Sequence, residues 1–591
     1  MRDTHSISAG ALAIEVSCDG LVRGVTSHGS TLLQHAEPLF ELTIDDWNDL
    51  DLDNFALVAD GQGTDGVSSL LSFTFAHKTR PIRVRASFFA RGERIDYSLS
   101  LAIDWPDAPL EPFLHVPFLS AMRLPGAVFR YPSNPCPKPD GTTAAQLHPA
   151  FPMPLCFYDA RGVGLSIAFD IPWPGISWDQ NRNQELNHIT DAGSWVSHKL
   201  RLRVAEHMTV VLEAGLVALS GGWPQAFALW RAENRRLMDL SQYSREDIRW
   251  ALHSQFHHFT YVYGSEACQD DYTQVNVDKL IDAGEAFGGY DALLLWHQYP
   301  RLGLDNRSQW DFYDDFPGGL EGLGVLVKRA HSRGVKMFLP FKPWDAGLHE
   351  TPAQAIGRMA RLVIDCEIDG IFFDTMNSVP EGLRAMIDAE RPGVVFCTEG
   401  RPNNTLCLEQ ITCSWDQYWN EYPMPESDMP RFLLPEHASP IIARWHMNTR
   451  KDMLISRAVF GGTGIVIWQD IFGAYLHYSA EQAARIARWK RLWHEHVRLF
   501  TGMDSIPLID TSQAGLYANW FPGEDEAIIT LTNGGKDHIR GALVDAMGFS
   551  VSIELWMGAP ISVQGGVVCG DIAPGAVYVI HLARVPKEGM S

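Results

Sequence analysis

Between residues 256 and 469 the chain alternates short runs that are apolar at nearly every position with longer runs whose apolar residues recur every three or four places. Runs of the first kind predict strands buried on both faces, as in a parallel sheet, and runs of the second kind predict the helices that cover it. Phe256 to Tyr263, Ala292 to Trp296, Val335 to Phe341, Gly370 to Asp374 and Val394 to Glu399 are the first five such strands. Ile411 to Asp416 predicts a sixth, a seventh falls somewhere between Met429 and Ala443, and Gly464 to Gln469 predicts an eighth. The intervening helices carry end signals. Leu320, Leu323, Leu326, Val327 and Ala330 share one face of a helix that opens after Phe316-Pro-Gly-Gly and stops at Gly334. Thr351, Pro352 and Gln354 make a capping box with proline at the first helical position, and Ser479 with Gln482 makes a second box. Ser378, Pro380 and Glu381 predict the start of the helix that joins the fourth and fifth strands.

On either side the period changes. Residues 1 to about 225 contain short alternating runs, among them Ala11 to Val16, Phe40 to Ile44, Leu70 to Phe75, Ile82 to Phe89 and Ile95 to Ile103, bounded by Gly, Asp and Pro, which predicts an antiparallel sandwich. The proline-rich stretch from Pro132 to Pro154 predicts a long ordered loop, and Trp230, Leu237 and Met238 mark a helical connector. After about Thr501 short strands return, such as Ala527 to Thr532 and Ser550 to Trp556. The expected layout is therefore a multidomain α/β plus all-β chain: a β-sandwich over 1–225, a (β/α)8 TIM barrel over 226–500 and a small β-domain over 501–591.

Composition narrows the partners. The 591 residues carry 48 Lys and Arg against 71 Asp and Glu, and a net charge of −23 argues against nucleic acid or an anionic membrane. No apolar run approaches the ~20 residues of a membrane span. The first residues lack the charged and apolar blocks of a secretory signal. Nine cysteines without a Cys-x-x-Cys pair predict reduced thiols and a cytoplasmic setting. A homo-oligomer is left open.

The chemistry is expected where strands hand over to loops, because the C-terminal ends of barrel strands form the active-site floor. Asp374 and Glu399 end the fourth and fifth strands, and hydrolysis of a glycosidic bond needs two carboxyl groups about the anomeric carbon. Asp416 and Asp470 also end predicted strands, each beside an aromatic, and are read as an acid or a clamp on sugar hydroxyls. Trp296 and His297 after the second strand, and Lys342, Trp344 and Asp345 after the third, supply flat rings and polar groups at the same rim. Asn377, Arg401, Trp415 and Trp468 complete the expected substrate-binding set. The plainer reading makes Asp374 a helix cap and Glu399 a solvated loop residue. His253, His257 and His258 cluster near the first strand but lack the His-x-His spacing expected there of a metallohydrolase, so no metal or cofactor is assigned.

The run Asp315-Phe-Pro-Gly-Gly-Leu-Glu-Gly-Leu-Gly-Val-Leu-Val-Lys-Arg-Ala-His-Ser-Arg-Gly-Val-Lys, followed by the third strand and Phe-Phe-Asp374, resembles the barrel core of retaining α-glycosidases of the melibiase, α-glucosidase and α-amylase superfamily. The resemblance covers roughly residues 255 to 475. It implies an N-terminal mutarotase-like sandwich, a C-terminal β-domain, and a nucleophilic aspartate after the fourth strand, matching Asp374. For the acid/base it implies either a glutamate after the fifth strand, similar to Glu399, or an aspartate after the sixth, similar to Asp416. Glu399 is preferred because its longer side chain reaches over a neighbouring strand end. The alternatives are a non-catalytic carbohydrate-binding protein on the same scaffold and a barrel isomerase or lyase.

Overall fold

A computed structural model describes residues 4–584 apart from 34, 45–46, 105–112, 120–121, 124–126, 131–143, 147–152, 160–165, 172–183, 188–193, 196, 202–208, 237, 269–273, 298–305, 346–349, 377, 401–407, 419–428, 444–450, 472–473 and 476. The chain divides into two compact units, Met1–Glu233 and Asn234–Ser591. No described helix is long and apolar enough to cross a membrane.

The first unit is antiparallel. Its largest sheet has the order Ala127–Arg130, Met153–Asp159, Ser166–Ile171, Thr209–Leu219, Arg94–Ile103, Ile82–Arg91, Ser68–His77 and Phe55–Thr64. Along Arg94–Ile103 every second residue is buried, the period that turns one face of a strand to a core. That core gathers Phe73, Val84, Leu99 and Tyr97 with Ile14 and Val16 of a second sheet and Leu42 and Leu114 of a third. The expected loop between Pro132 and Pro154 lies largely outside the described residues. Where it is described it forms a strand, Ala144–Gln146, paired with Gln184–Asn187, and the start of the strand Met153–Asp159.

In the second unit the predicted strands form one sheet. Its path runs Cys413–Ser414, Val395–Thr398, Gly370–Phe373, Lys336–Phe341, Ala292–Trp296, Phe256–Tyr261, Ile465–Ile467, Ile441–Ala443 and Asp416–Tyr418. All of these neighbours are parallel. The two ends of the path are separated in the chain by Trp415 alone. Phe259, Ala292, Leu294, Trp296, Phe338, Phe372, Cys397, Trp415, Val466 and Trp468 share a core on one face of this sheet. Gly370 makes room there, since a Cβ at that position would meet the Phe338 ring at 2.1 Å.

Carboxylates tie the N-terminal ends of the strands. Asp291 accepts from the Gln255 and Phe256 amides at 3.0 and 2.9 Å and pairs with Lys490 at 2.6 Å. Asp369 accepts from the Met337 amide at 2.9 Å and pairs with Lys336 and His331. These contacts order the strand starts.

Both capping boxes form, at Thr351/Gln354 before Pro352–Asp365 and at Ser479/Gln482 before Ala480–Glu495. Two local expectations are corrected, and a third, the seventh strand, is narrowed. The helix after the fourth strand begins at Leu383, with Gly382 at φ +76° as its cap, so Ser378, Pro380 and Glu381 belong to the preceding loop. Met429–Leu433 is helical, and the seventh strand is confined to Ile441–Ala443. The sixth predicted strand is interrupted at Trp415, with its second piece pairing the other way round the sheet path.

After Phe500 two antiparallel sheets, one of five strands and one of three, enclose a separate core around Leu531, Leu543, Val568 and Ile580. They belong to the same compact unit as the parallel sheet. Asn519 and Thr530 donate to the Phe460 carbonyl at 2.8 and 2.6 Å, fastening the five-stranded sheet to the helix Lys451–Gly461.

Candidate active site

Alternation along each strand decides which predicted residues meet. Phe338 and Phe372 face the shared core, so Lys342 and Asp374, four and two residues further on, have the same parity, as does Glu399 two residues beyond Cys397. The register agrees, with Phe341 opposite Phe373 and Phe373 opposite Thr398. The backbone ladder continues past the strands, since Asp374 donates to the Phe341 carbonyl at 2.9 Å and Glu399 donates to the Phe373 carbonyl at 3.0 Å. Lys342, Asp374 and Glu399 thus stand side by side at three adjacent strand ends.

Asp374 is only 6% exposed. Its carboxyl is pushed up to about 8 by burial and then by the Glu399 carboxyl, with which it shares a hydrogen bond, and Lys342 pulls in the opposite sense. Asp374 therefore keeps its proton near neutral pH. The amide of Thr375 donates to Glu399 Oε2 at 2.6 Å and fixes that oxygen beside the Asp374 loop.

Lys342 and Asp345 are both fully buried, with Nζ 3.6 Å from Oδ2. Burial pushes the Lys342 ammonium down to about 7 against the pull of Asp345 and Asp374. Its Nζ lies 5.3 Å from the Trp296 ring and 6.0 Å from the Trp344 ring, two faces that offer cation–π contact. Trp344 is 41% exposed and forms an open edge of the site. Gln309 clamps the Lys342 backbone from both sides, donating to its carbonyl and accepting from its amide at 2.9 Å each. Nothing in the local sequence marks Gln309, because its partners are 33 residues away.

The other predicted residues have different settings. Trp415 is buried, packs tilted against Phe372 with ring centroids 4.2 Å apart and donates to His257 Nδ1 at 3.0 Å, and Trp468 is buried in the same core. His297 packs between Phe312 and Tyr313. Asp470 pairs with His477 at 2.6 Å. Asp416 opens the strand Asp416–Tyr418, opposite Ile441, and Asn377 and Arg401 lie outside the described residues. The clustered histidines turn apart. His257 meets Trp415 in the core, with burial pushing it down to about 4, while its neighbour His258 stacks on Tyr290 at 4.6 Å and faces Glu266 at 3.4 Å.

Solved structures of the same architecture exist. The fold is similar to that of GH36 α-galactosidases. The galactosidase domain of an α-galactosidase–sucrose kinase aligns with a TM-score of 0.51 at 11% identity, covering 99% of this chain and 100% of that one. A GH36 α-galactosidase of Geobacillus stearothermophilus, in variant form with stachyose, aligns with a TM-score of 0.50 at 10% identity and the same coverage. A second variant of that enzyme, with 1-deoxygalactonojirimycin, gives a TM-score of 0.50 at 11% identity. At these identities the likeness is one of fold. No protein-family model and no curated protein sequence matches the chain.

Proposed function

We propose that the protein is a retaining glycoside hydrolase acting on α-glycosides in the cytoplasm, with Asp374 as nucleophile. In this reading the parallel sheet is a (β/α)8 barrel closed through Trp415, flanked by a mutarotase-like β-sandwich and a C-terminal β-domain. The observation that carries it is the buried Asp374 carboxyl, in hydrogen-bond contact with Glu399 and beside Lys342 at adjacent strand ends. A retaining site needs one ionised and one protonated carboxyl, and two neighbouring carboxyls, one of them buried, can divide those roles.

When the sugar binds, the proton on Asp374 passes to Glu399 and leaves Asp374 ionised, with the nearby Lys342 cation favouring that charge. Asp374 attacks the anomeric carbon while Glu399 gives its proton to the departing glycosidic oxygen. Glu399 then takes a proton from water as that water displaces Asp374. In this reading Trp344, at the open edge, and Trp296 take the sugar ring, and Lys342 and Asp345 take its hydroxyls.

A second reading assigns the acid/base to Asp416. It is favoured by the direct contact of Asp374 with Glu399, because carboxyls working across a sugar in a retaining site stand about 5 Å apart. Glu399 would then position Asp374.

A nitrophenyl α-glycoside screen tests the proposal, starting with the α-galactoside that the fold neighbours suggest. Wild-type protein should release nitrophenol, Asp374→Asn should not, and NMR should show the retained anomer first. Sugar binding without turnover would make the protein a carbohydrate-binding one, and an inverted first product would exclude Asp374 as nucleophile.

A further inference from the structure

A second cluster of chemically capable side chains lies in the first unit, far in sequence from the acids above. His5 sits on the strand Thr4–Ala9, Cys18 directly follows the strand Leu12–Ser17, and Asp60 sits on Phe55–Thr64 in a different sheet. His5 Nε2 is 3.3 Å from Cys18 Sγ and 3.5 Å from Asp60 Oδ2. The three ligand atoms all lie within 4.8 Å of one another.

We propose that His5, Cys18 and Asp60 form a zinc site that staples two sheets of the N-terminal unit. Zinc bonds to sulfur of about 2.3 Å and to nitrogen or oxygen of about 2.0–2.2 Å, arranged tetrahedrally, give ligand–ligand edges of roughly 3.4–3.6 Å. The His5–Asp60 edge of 3.5 Å falls in that range, and the His5–Cys18 edge of 3.3 Å lies just below it. The donor set also suits the ion, since one thiolate, one carboxylate and one neutral imidazole balance its two charges. Binding releases the Cys18 thiol proton to solvent.

The surroundings orient the ligands. The Gln62 amide nitrogen Nε2 lies 2.6 Å from His5 Nδ1. Zinc binding at Nε2 places the ring proton on Nδ1, and a half-turn of the Gln62 carboxamide then brings its oxygen there to accept it. Phe73 packs against the imidazole at 5.8 Å. The Asp60 side chain is 47% exposed, so the fourth coordination position opens to water. A second cluster, His496, Glu526 and His581, also brings three ligand atoms together but contains no thiol. That difference gives the test its specificity.

The reduced full-length protein should be titrated with Co²⁺ and, separately, with Zn²⁺. The expected result is one equivalent of cobalt showing a thiolate-to-metal charge-transfer band in the near ultraviolet, bleached when zinc is added. Cys18→Ser should abolish the band. Asp60→Asn, at an exposed position that leaves folding intact, should weaken zinc binding tenfold or more. Zinc should raise the melting temperature of the wild type but not of Cys18→Ser. Cobalt binding without the band, a band that persists in Cys18→Ser, or equal zinc stabilisation of both proteins would overturn the proposal.

Discussion

The Thr375 amide donates to Glu399 Oε2 at 2.6 Å from a left-handed backbone, φ +56°. This one bond joins the loops that follow two adjacent strands, and it does so through the residue immediately after Asp374. A β-branched residue rarely adopts that conformation, so the tie is made against a local backbone preference. The carboxyl that perturbs Asp374 is thereby held in place by the Asp374 loop itself.

Replacing Thr375 with glycine separates the strain from the hydrogen bond. Glycine keeps the amide donor and adopts positive φ freely, relieving roughly 1–3 kcal/mol while adding about 0.5–1 kcal/mol of unfolded-state entropy. The Thr375 side chain is exposed, so little packing is lost. Thr375→Gly should gain about 1 kcal/mol in urea unfolding and keep the wild-type rate. A loss of stability would mean that the threonine side chain, not the amide, organises the loop.

Asp374 also sets a pH dependence. Its pKa rises on folding from 3.8 to about 8, so between those values the folded state binds more protons than the unfolded one. Stability contributed by the protonated form is therefore lost as pH rises through that window. Lys342 acts in the reverse sense, but only between about 7 and 10.5, where the unfolded chain holds the extra proton. Urea melts from pH 4 to 7 isolate the first effect. Asp374→Asn should overtake the wild type across that range and exceed it by more than about 1 kcal/mol at pH 7. Parallel curves for the two proteins would show that Asp374 is not held protonated.

The Lys342–Asp345 pair makes a different kind of prediction. Both side chains are fully buried, so removing either charge takes away the counter-charge that the other faces at 3.6 Å. Lys342→Met and Asp345→Asn should each cost about 3–5 kcal/mol, and the double variant should lose much less than their sum. Additive losses in chemical denaturation would show that the two groups do not depend on one another.

How much of this could be read from the chain depends on the range of the contacts involved. Thr351/Gln354 and Ser479/Gln482 are visible because a capping box is complete within four residues. Ala292–Trp296 is visible because a strand buried on every position leaves an unbroken apolar run. Ser378, Pro380 and Glu381 also spell a helix start, yet the loop after Asp374 continues to Gly382, where a positive φ makes the turn into the helix. The strand break at Trp415 is hidden for another reason. That ring is held by Phe372 and His257, neither of which is near it in sequence. Acids at the ends of apolar runs announce themselves, whereas Gln309 and the Thr375 amide acquire meaning only when distant strand ends are adjacent.

The identity of the acid/base is decided by the leaving group. An acid that protonates the glycosidic oxygen matters most when that oxygen leaves as a poor alkoxide, and little when it leaves as an acidic phenol. A residue that only positions Asp374 matters equally for both, because it alters the attack and not the departure. If Glu399 is the acid, Glu399→Gln should slow hydrolysis of an alkyl or sugar-linked substrate by about 100-fold or more while sparing the dinitrophenyl glycoside, within the usual range for general acid catalysis. Asp416→Asn should then show no such selectivity. The contact between Glu399 and the Asp374 carboxyl, reinforced by the Thr375 amide, gives the opposite outcome a physical basis, with Glu399→Gln depressing both substrates alike. Measuring kcat/KM for both variants on both substrates separates these cases, and selectivity confined to Asp416→Asn would move the acid role to Asp416 and leave Glu399 as the group that positions the nucleophile.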